Sequence, residues 1–497
     1  MTQSPGDAGV LELNVRGGAR LFVSDDIDRM SSYILLEQED WFEDEIRFAR
    51  RVLRPGMQAV DVGANIGVYT LAMALAVGSS GRVSAFEPTP ECAATLRRNL
   101  QINDAAHVEL HHAAVSDREG TIDLAVGEHP ETNAVAARGD AGGSTIECAA
   151  LTLDSIAEER DWSAVDFVKM DVEGHEQEAI RGGANFFASA SPLLMVEVRK
   201  FDTVDLGLVE MIAQMGYDLY RLLPGPLLLA PFEESAAADE YLLNVFACKP
   251  DRAAKLAADG LLSGSAAAEG AAPPHDAWLR YLRDAPYART LAARWPAKAG
   301  LFARSDARTY AEGLNAFALS RDDAREPAER LGWLRRAFQC VTDALEARAT
   351  AGRRISYARL AAELGRRAAA VAALKENLAP VLEGSPELFA EPFLAPSARH
   401  ERVDGGTDAA GWLKCALFEE FERQRAFSSV FMGTTSLTFI DIIGDSPFRS
   451  AEMERRRQLV RIRNGMQNGP QPAAVLSELS EDNLNPNFWS GTSPASA

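Results

Sequence analysis

The sequence predicts an α/β fold: a doubly wound sheet closed by a terminal antiparallel strand, followed by an all-α domain. Three observations carry this. Val60 to Thr70 passes from a short apolar run through a glycine turn into a helical pattern, which is a strand, a tight turn and a helix start. Short apolar runs then alternate with helical patterns as far as Val198 and end in a strand pair, the pattern of a mostly parallel sheet with one reversed edge strand. After residue 275 the texture turns helical, dominated by Ala, Leu and Arg.

Residues 1–9 are small and polar. Val10 to Val15 and Ala19 to Val23 flank Gly17 and Gly18 and read as a hairpin, so residues 1–38 form an N-terminal extension. A helix from Asp40 to Leu53 sets Phe42, Ile46, Ala49 and Leu53 on one face and stops at Pro55 and Gly56. Trp41 and Phe42 at its start are either ordinary packing or a lid over a pocket. Met57 to Val62 is the first sheet strand, Val68 to Val77 a helix and Arg82 to Phe86 the second strand. Thr89 and Pro90 start a helix that runs to Ile102. Val108 to Val115, Val165 to Met170 and Leu193 to Val198 are the third, fourth and fifth strands, with helices from Asp154 to Glu159 and Glu176 to Phe187.

Gly120 to Val126 and Thr145 to Leu151 pair beyond the sheet, and the long loop from Gly127 to Gly143 is placed near a substrate mouth. Asp205 caps a helix that Gly216 ends, and Tyr217 to Leu222 with Tyr241 to Cys248 close the domain. The domain thus spans 39–250, with an Ala- and Gly-rich linker at 251–275, a helical domain at 276–463 and a disordered tail at 464–497. Ile355 to Leu374 looks like part of a tetratricopeptide-type helix pair, with an irregular bundle as the alternative.

A chain of 497 residues holds two or three domains, each able to bury a core. Its net charge of -21 argues against a nucleic-acid or anionic-membrane partner. The longest late apolar run, Ser428 to Gly444, is interrupted by Gly433 and Asp441, so no membrane span is expected. Cys92, Cys148, Cys248, Cys340 and Cys415 form no C-x-x-C pair, which gives no zinc signal and suits a reducing compartment. With no secretion leader visible, the expected location is cytoplasmic.

The turn carries the chemistry. Gly63 and Gly67 let a ligand approach the backbone, and N–H groups at the helix start suit an electronegative group. A nicotinamide fingerprint would read G-x-G-x-x-G with an acid about 20 residues on. Here the series is Asp61, Gly63, Asn65, Gly67, and the next acid, Glu87, closes the second strand. That carboxylate can accept two hydrogen bonds from a ribose. No Gly-Lys-Ser/Thr follows and no basic residue stands ready for a pyrophosphate. A cofactor with a ribose and a cationic centre but no phosphate fits, and S-adenosylmethionine is that cofactor. Its expected contacts are Asp61, Gly63, Ala64, Asn65 and Gly67, then Glu87 and Pro88, with Ser116 and Asp117 at the adenine edge. Asp117 also reads as part of an ordinary polar turn.

The turn, the run Phe86-Glu87-Pro88, the strand end Ala113 to Asp117, and Val165 to Glu176 with its acidic turn from Asp171 together resemble the FkbM-type methyltransferase family. The resemblance covers residues 39–249. It implies a class I methyltransferase fold using S-adenosylmethionine, usually for O-methylation of sugars or other small hydroxylated metabolites. Asn65 stands where the general class I turn has its middle glycine, as in this family.

Methyl transfer needs an aligned acceptor and a group to remove the hydroxyl proton. Asp171 ends the fourth strand beside the first, so its carboxylate is expected to face the methionine end of the cofactor. Glu173 follows in the same motif, where it is either functional or a charge favourable to the helix dipole. His175 is either the base or an exposed helix-start residue. Glu197, ending the fifth strand, is a further candidate. An alternative has Asp171, Glu173 and Glu197 hold a divalent cation; the main expectation uses no metal.

The expected function is therefore an O-methyltransferase acting on a hydroxyl of a sugar, glycan or related small metabolite. The helical domain is left for a protein partner or self-association. An amine methyltransferase acting on nucleobases is disfavoured, because Asp171-Val172-Glu173-Gly174 replaces the Asn/Asp-Pro-Pro-aromatic run such enzymes use. A partner-recruiting scaffold with an inactive first half is disfavoured by the intact turn and Glu87.

Overall fold

The computed structural model describes residues 9–125, 127, 134–135, 145–160, 162–200, 203–233, 239–263, 274–292, 295 and 304–466. They fall into two compact units, one of residues up to 222 with 229–262, the other helical and continuing from 263.

The first unit opens with the expected hairpin, β1 (Val10–Asn14) and β2 (Arg20–Ser24), paired Leu13 to Leu21. Helix α1 (Met30–Gln38) precedes α2 (Asp44–Val52). The doubly wound part follows as β3 (Gln58–Val62), α3 (Val68–Val77), β4 (Arg82–Phe86), α4 (Pro90–Ile102) and β5 (Val108–His111). The third strand does not reach Val115. After His111 the chain leaves this sheet, and β6 (Ala114–Val115) joins a second, four-stranded sheet. There it lies beside β9 (Thr145–Leu151), which pairs with β7 (Gly120–Ala125), itself paired with β8 (Ala134–Val135). The remainder of the Gly127 to Gly143 loop, apart from Gly127, lies outside the described residues, as does the chain beyond Met466 with Trp489.

The chain re-enters through α5 (Leu153–Arg160) and β10 (Phe167–Met170). The single helix expected from Glu176 to Phe187 is two, α6 (Glu176–Arg181) and α7 (Ala184–Ser189). The break falls at Gly182, where a Cβ would stand 1.9 Å from the Ser116 carbonyl oxygen. Next come β11 (Leu193–Glu197), the short pair β12 (Arg199–Lys200) and β13 (Thr203–Val204), and α8 (Leu206–Gln214), capped by Asp205 as expected. Then follow β14 (Asp218–Leu223), β15 (Leu228–Pro231), β16 (Asn244–Cys248) and α9 (Pro250–Ala258). Helix α9 occupies the first part of the expected linker, held by Arg252 to Asp166 at 2.9 Å.

The main sheet runs β15-β14-β16-β11-β10-β3-β4-β5. Strands β3, β4, β5, β10 and β11 are parallel, and β16 is antiparallel to both β11 and β14. The reversed strand therefore lies inside the sheet instead of at its edge. Asn244 to Cys248 are buried throughout, which an interior strand permits and an exposed edge would not. The core lies against this sheet, with Val60, Val62, Phe86, Val168, Met170, Leu194 and Val196 all buried. The strand order turns back between β3 and β10, so the crevice at their carboxyl ends is where such a sheet takes a ligand.

The second unit is helical, with long helices at Ser305–Ser320, Pro327–Ala347, Ala351–Glu363, Arg367–Leu382, Ala409–Arg425 and Ala451–Arg463. Gly365, at φ +69, turns the chain between the third and fourth of these. Its core packs Trp412 on Tyr287 with ring centroids 5.7 Å apart, and it also buries ion pairs. Arg353 meets Asp306 at 3.1 Å and Arg399 meets Glu419 at 2.8 Å. Among the described residues no helix is long and apolar enough to cross a membrane.

Asn99 of α4 fastens the N-terminal hairpin to the glycine turn. Its Oδ1 accepts the Phe22 N–H at 2.6 Å while Nδ2 donates to Ile66 O at 2.8 Å and Phe22 O at 3.2 Å, the bond to Ile66 fully buried and those to Phe22 partly so. Asn99→Ala leaves buried backbone groups unmatched and should destabilise the unit by roughly 2–4 kcal/mol. Urea unfolding checks this; an unchanged midpoint would mean the tie carries no stability.

Candidate functional site

The glycine turn between β3 and α3 is closed on itself. Gly63, Asn65 and Gly67 all have positive φ, at 83°, 51° and 97°. The N–H groups of Gly63 and Ala64 donate to Phe86 O, at 3.0 and 2.9 Å. Asn65 N–H donates to Glu87 Oε2 at 2.7 Å, Ile66 N–H to the Asn65 side chain at 2.7 Å, and Gly67 N–H to Ala64 O at 2.9 Å. The expectation that the turn's own N–H groups meet a ligand is thus corrected from Gly63 to Gly67: these donors already have partners within the protein. Glu87 Oε1 also accepts the Thr89 N–H at 2.7 Å, so this carboxylate pins the turn to the end of β4. Burial pushes its pKa up, against the pull of the Thr89 and Asn65 donors.

Beneath the turn lies Lys169, a lone charge in the buried strand β10. Its ammonium donates to Gly63 O at 3.2 Å, lies 3.2 Å from Asp171 Oδ2 and 3.9 Å from Asp61 Oδ1, and sits 5.2 Å from the Tyr69 ring centroid. Burial works against its charge, but Asp171, Asp61 and Glu43 outweigh it, and the pKa is raised. Asp61 is wholly buried and accepts the Thr70 hydroxyl at 2.6 Å. Burial raises its pKa against the attraction of Lys169.

Past β10 the chain makes the acidic turn. Glu173 takes φ +53 and Gly174 φ +93, and Glu176 Oε1 accepts the N–H groups of Val172 and Gly174, each at 3.1 Å. Glu173 stands largely exposed on this turn, and its partial desolvation, with the charges of Asp171 and Glu176, pushes its carboxyl up to about 7. Glu197, at the end of β11, shares a hydrogen bond with Asp171, and burial with the neighbouring charges of Asp171 and Glu173 raises its pKa strongly. His175 Nε2 lies 3.0 Å from Ser116 Oγ and its Nδ1 lies 3.6 Å from Glu178. Burial lowers its pKa, so the ring is neutral. Among the described residues no group of three or more His, Cys, Asp or Glu side chains is placed to hold a metal ion.

These parts wall a cleft of about 1010 Å³, counting space open to solvent. Gly63, Ala64, Asn65, Glu87, Pro88, Asp171, Glu173 and His175 line it, and so does Trp41, which was expected as packing or lid. The other expected site residues lie behind that wall. Asp61 and Gly67 shape the turn, Glu197 backs Asp171, and Ser116 and Asp117 stand beyond Ala113 to Val115, which line the cleft in their place. Sequence reasoning missed Lys169, Tyr69, Met30 and Ser31, all of them lining residues. For Lys169 the signal was legible: a single charge inside an apolar strand.

The lining's chemistry fits a phosphate-free cationic nucleoside. It offers the carboxylates of Glu87, Asp171 and Glu173 beside apolar Trp41, Phe86 and Leu124. Among the described lining residues the one cation, Lys169, is already engaged by carboxylates, so a pyrophosphate would find no available positive charge among them.

Residues 61–219 match the family model described as Methyltransferase FkbM domain. The methyltransferase sdnD of Sordaria araneosa is 29% identical over 153 residues, 25% of this chain and 59% of that protein. The 31-O-demethyl-FK506 methyltransferase FkbM of Streptomyces tacrolimicus is 31% identical over 159 residues, 26% of this chain and 60% of that protein. The chain therefore spans about three-fifths of the length of these curated relatives. Among solved structures, an S-adenosylmethionine-dependent methyltransferase from Aquifex aeolicus aligns with 45% of this chain and 94% of its own, at 16% identity and a TM-score of 0.27.

Lys169→Met removes the counter-charge of a fully buried Asp61 and should destabilise the unit by roughly 3–5 kcal/mol. An uncompensated Asp61 folds best protonated, so the loss should grow from pH 5 to pH 8. Adding Asp61→Asn should recover part of it. Denaturation of both variants at the two pH values checks the claim, and a pH-independent loss without rescue contradicts it.

Proposed function

We propose that the first unit is an S-adenosylmethionine-dependent methyltransferase domain that transfers a methyl group to a hydroxyl of a sugar, glycan or related small metabolite. One observation carries the reading: the carboxylates of Glu87, Asp171 and Glu173 line one cleft with Trp41 and Phe86, and Lys169, the cation among its described lining residues, is already engaged by Asp61 and Asp171. The family match supports methyl transfer, and the name of the Streptomyces relative supports an oxygen acceptor. The sugar or small-metabolite acceptor rests on the resemblance alone.

S-adenosylmethionine supplies an electrophilic methyl group on a sulfonium. Gly63, Ala64 and Asn65 form the wall that receives it, with Glu87 and Pro88 beside them. Asp171, held by Lys169 and hydrogen-bonded with Glu197, would present a negative charge suited to a cationic centre. Glu173 would take the proton of the acceptor's hydroxyl, and the cofactor, when bound, would supply the methyl group through cleavage of its carbon–sulfur bond and leave as the neutral thioether S-adenosylhomocysteine. A base whose pKa lies near the working pH combines availability with proton affinity. His175, neutral and beside Ser116, orders the neighbouring wall.

Calorimetric titration with S-adenosylmethionine tests the reading first: no heat of binding leaves the scaffold alternative standing. At pH 7 binding should release roughly half a proton as the sulfonium lowers the pKa of Glu173, and S-adenosylhomocysteine, which lacks that charge, should release less. Buffers of different ionisation enthalpy separate the two. Rate should rise with pH through about 7 as Glu173 ionises and then level. Glu173→Gln should lower kcat by about 10²–10⁴ and abolish that rise. A variant that keeps both the rate and the pH profile excludes Glu173 as the base.

A further inference from the structure

Glu43 is a half-buried carboxylate that the mechanism above does not use. It is the residue before α2, two positions past Trp41, and it lies outside the 61–219 match. Its Oε2 accepts the Tyr69 hydroxyl at 2.7 Å and its Oε1 accepts Asn244 Nδ2 at 3.0 Å. Asn244 belongs to the reversed strand β16, which is also outside that match. Tyr69 stands in the first turn of α3, lines the cleft, and puts its ring 5.2 Å from the Lys169 ammonium. Lys169 in turn lies 3.2 Å from Asp171. The contacts run in one chain from Asn244 through Glu43, Tyr69 and Lys169 to Asp171.

This arrangement solves a positioning problem. A tyrosine ring seats an ammonium best when its orientation is fixed, and Tyr69 is buried with its hydroxyl on Glu43. Burial and the adjacent Glu43 keep the phenol protonated, so it remains a donor to Glu43. The Asn244 amide fixes the other carboxylate oxygen, leaving Glu43 one orientation. Hydrogen bonds made away from bulk water reinforce one another, and chains of them lock their members together.

We propose that Glu43 is a positioning residue for the acidic cluster: it clamps Tyr69, whose ring seats Lys169 and thereby sets the direction of the Asp171 carboxylate. The role rests on the methyltransferase reading for its catalytic consequence, but the clamp belongs to the protein without cofactor. The cleft floor is thus completed by two segments flanking the matched span, one from each side.

Two variants and their combination test it. Glu43→Ala removes the clamp, and Tyr69→Phe removes only the hydroxyl that Glu43 holds. Each should lower kcat by about tenfold to a hundredfold, as a loosened catalytic group does, with KM for the acceptor little changed. The double variant should be no worse than either single one, because both break the same link. Glu43→Gln, whose amide oxygen can still accept the Tyr69 hydroxyl but not Asn244 as well, should restore part of the rate. In the cofactor-free protein, the slowly exchanging Lys169 ammonium should shift its ¹⁵N NMR signal alike in Glu43→Ala and Tyr69→Phe. Multiplicative losses in the double variant, or an unmoved Lys169 signal, would overturn the clamp. Wild-type protein that transfers no methyl group while the Lys169 signal still responds would fault the functional reading and leave the clamp intact.

Discussion

The ammonium of Lys169 is the charge on which the rest of the site depends. Placing a cation inside a parallel sheet costs several kcal/mol in lost hydration unless opposite charges and dipoles surround it. Here Asp61 from the adjacent strand, Asp171 from its own strand end and the carbonyl of Gly63 all reach it. That requirement fixes the register of β3 against β10, where Lys169 stands opposite Asp61. It also brings the glycine turn close to the acidic turn. A Cβ at Gly63 would stand 1.7 Å from the Asp171 carbonyl oxygen, so only glycine allows the two turns to meet.

Because the turns meet, the glycine turn comes to the ligand already folded. In phosphate-binding turns the backbone donors wait for the anion and are satisfied by it. Here the donors from Gly63 to Gly67 bond to Phe86, Glu87, Asn65 and Ala64. The ligand meets a preformed wall, and recognition shifts to carboxylates and apolar side chains. Glu87 serves both ends of this arrangement. Each of its oxygens holds a backbone N–H, and each keeps a further lone pair for a ligand hydroxyl. Replacing it with alanine would therefore disturb the turn as well as any ribose contact, and glutamine is the fairer probe.

The sheet was legible because β3, β10 and β11 are covered on both faces and read as continuous apolar runs. The turn was legible because positive φ selects Gly63 and Gly67, and because Asn65 tolerates the left-handed region when its side chain bonds the next N–H. Helix α1 escaped notice because Ser31 to Glu37 are buried without interruption, leaving no polar face to mark a period. The break at Gly182 depends on the carbonyl of Ser116, and the Glu43 clamp on Asn244, some 201 residues away. No local pattern encodes such meetings. The helical unit hid its interior for another reason: Arg353, Arg399 and Arg456 are buried against carboxylates, whereas arginine in a sequence reads as surface.

The carboxylates around Lys169 outnumber the charge that holds them, and this excess gives the site its chemistry. Asp61, Asp171 and Glu43 all act on the one ammonium, while Glu173 and Glu197 crowd Asp171 from the other side. Like charges so close in a poorly hydrated space cannot all stay ionised. The molecule resolves the conflict by position. Glu197, the less exposed of the pair, is raised further and shares a hydrogen bond with Asp171, while Glu173, on the open cleft wall, is raised less. A cation entering the cleft would favour the ionised state of Glu173, and so would ready the base at the moment the electrophile arrives. Because the favour is mutual, the ionised base would also hold that cation more tightly. Binding and proton removal would then draw on one electrostatic imbalance, which Lys169 is too few in charge to cancel.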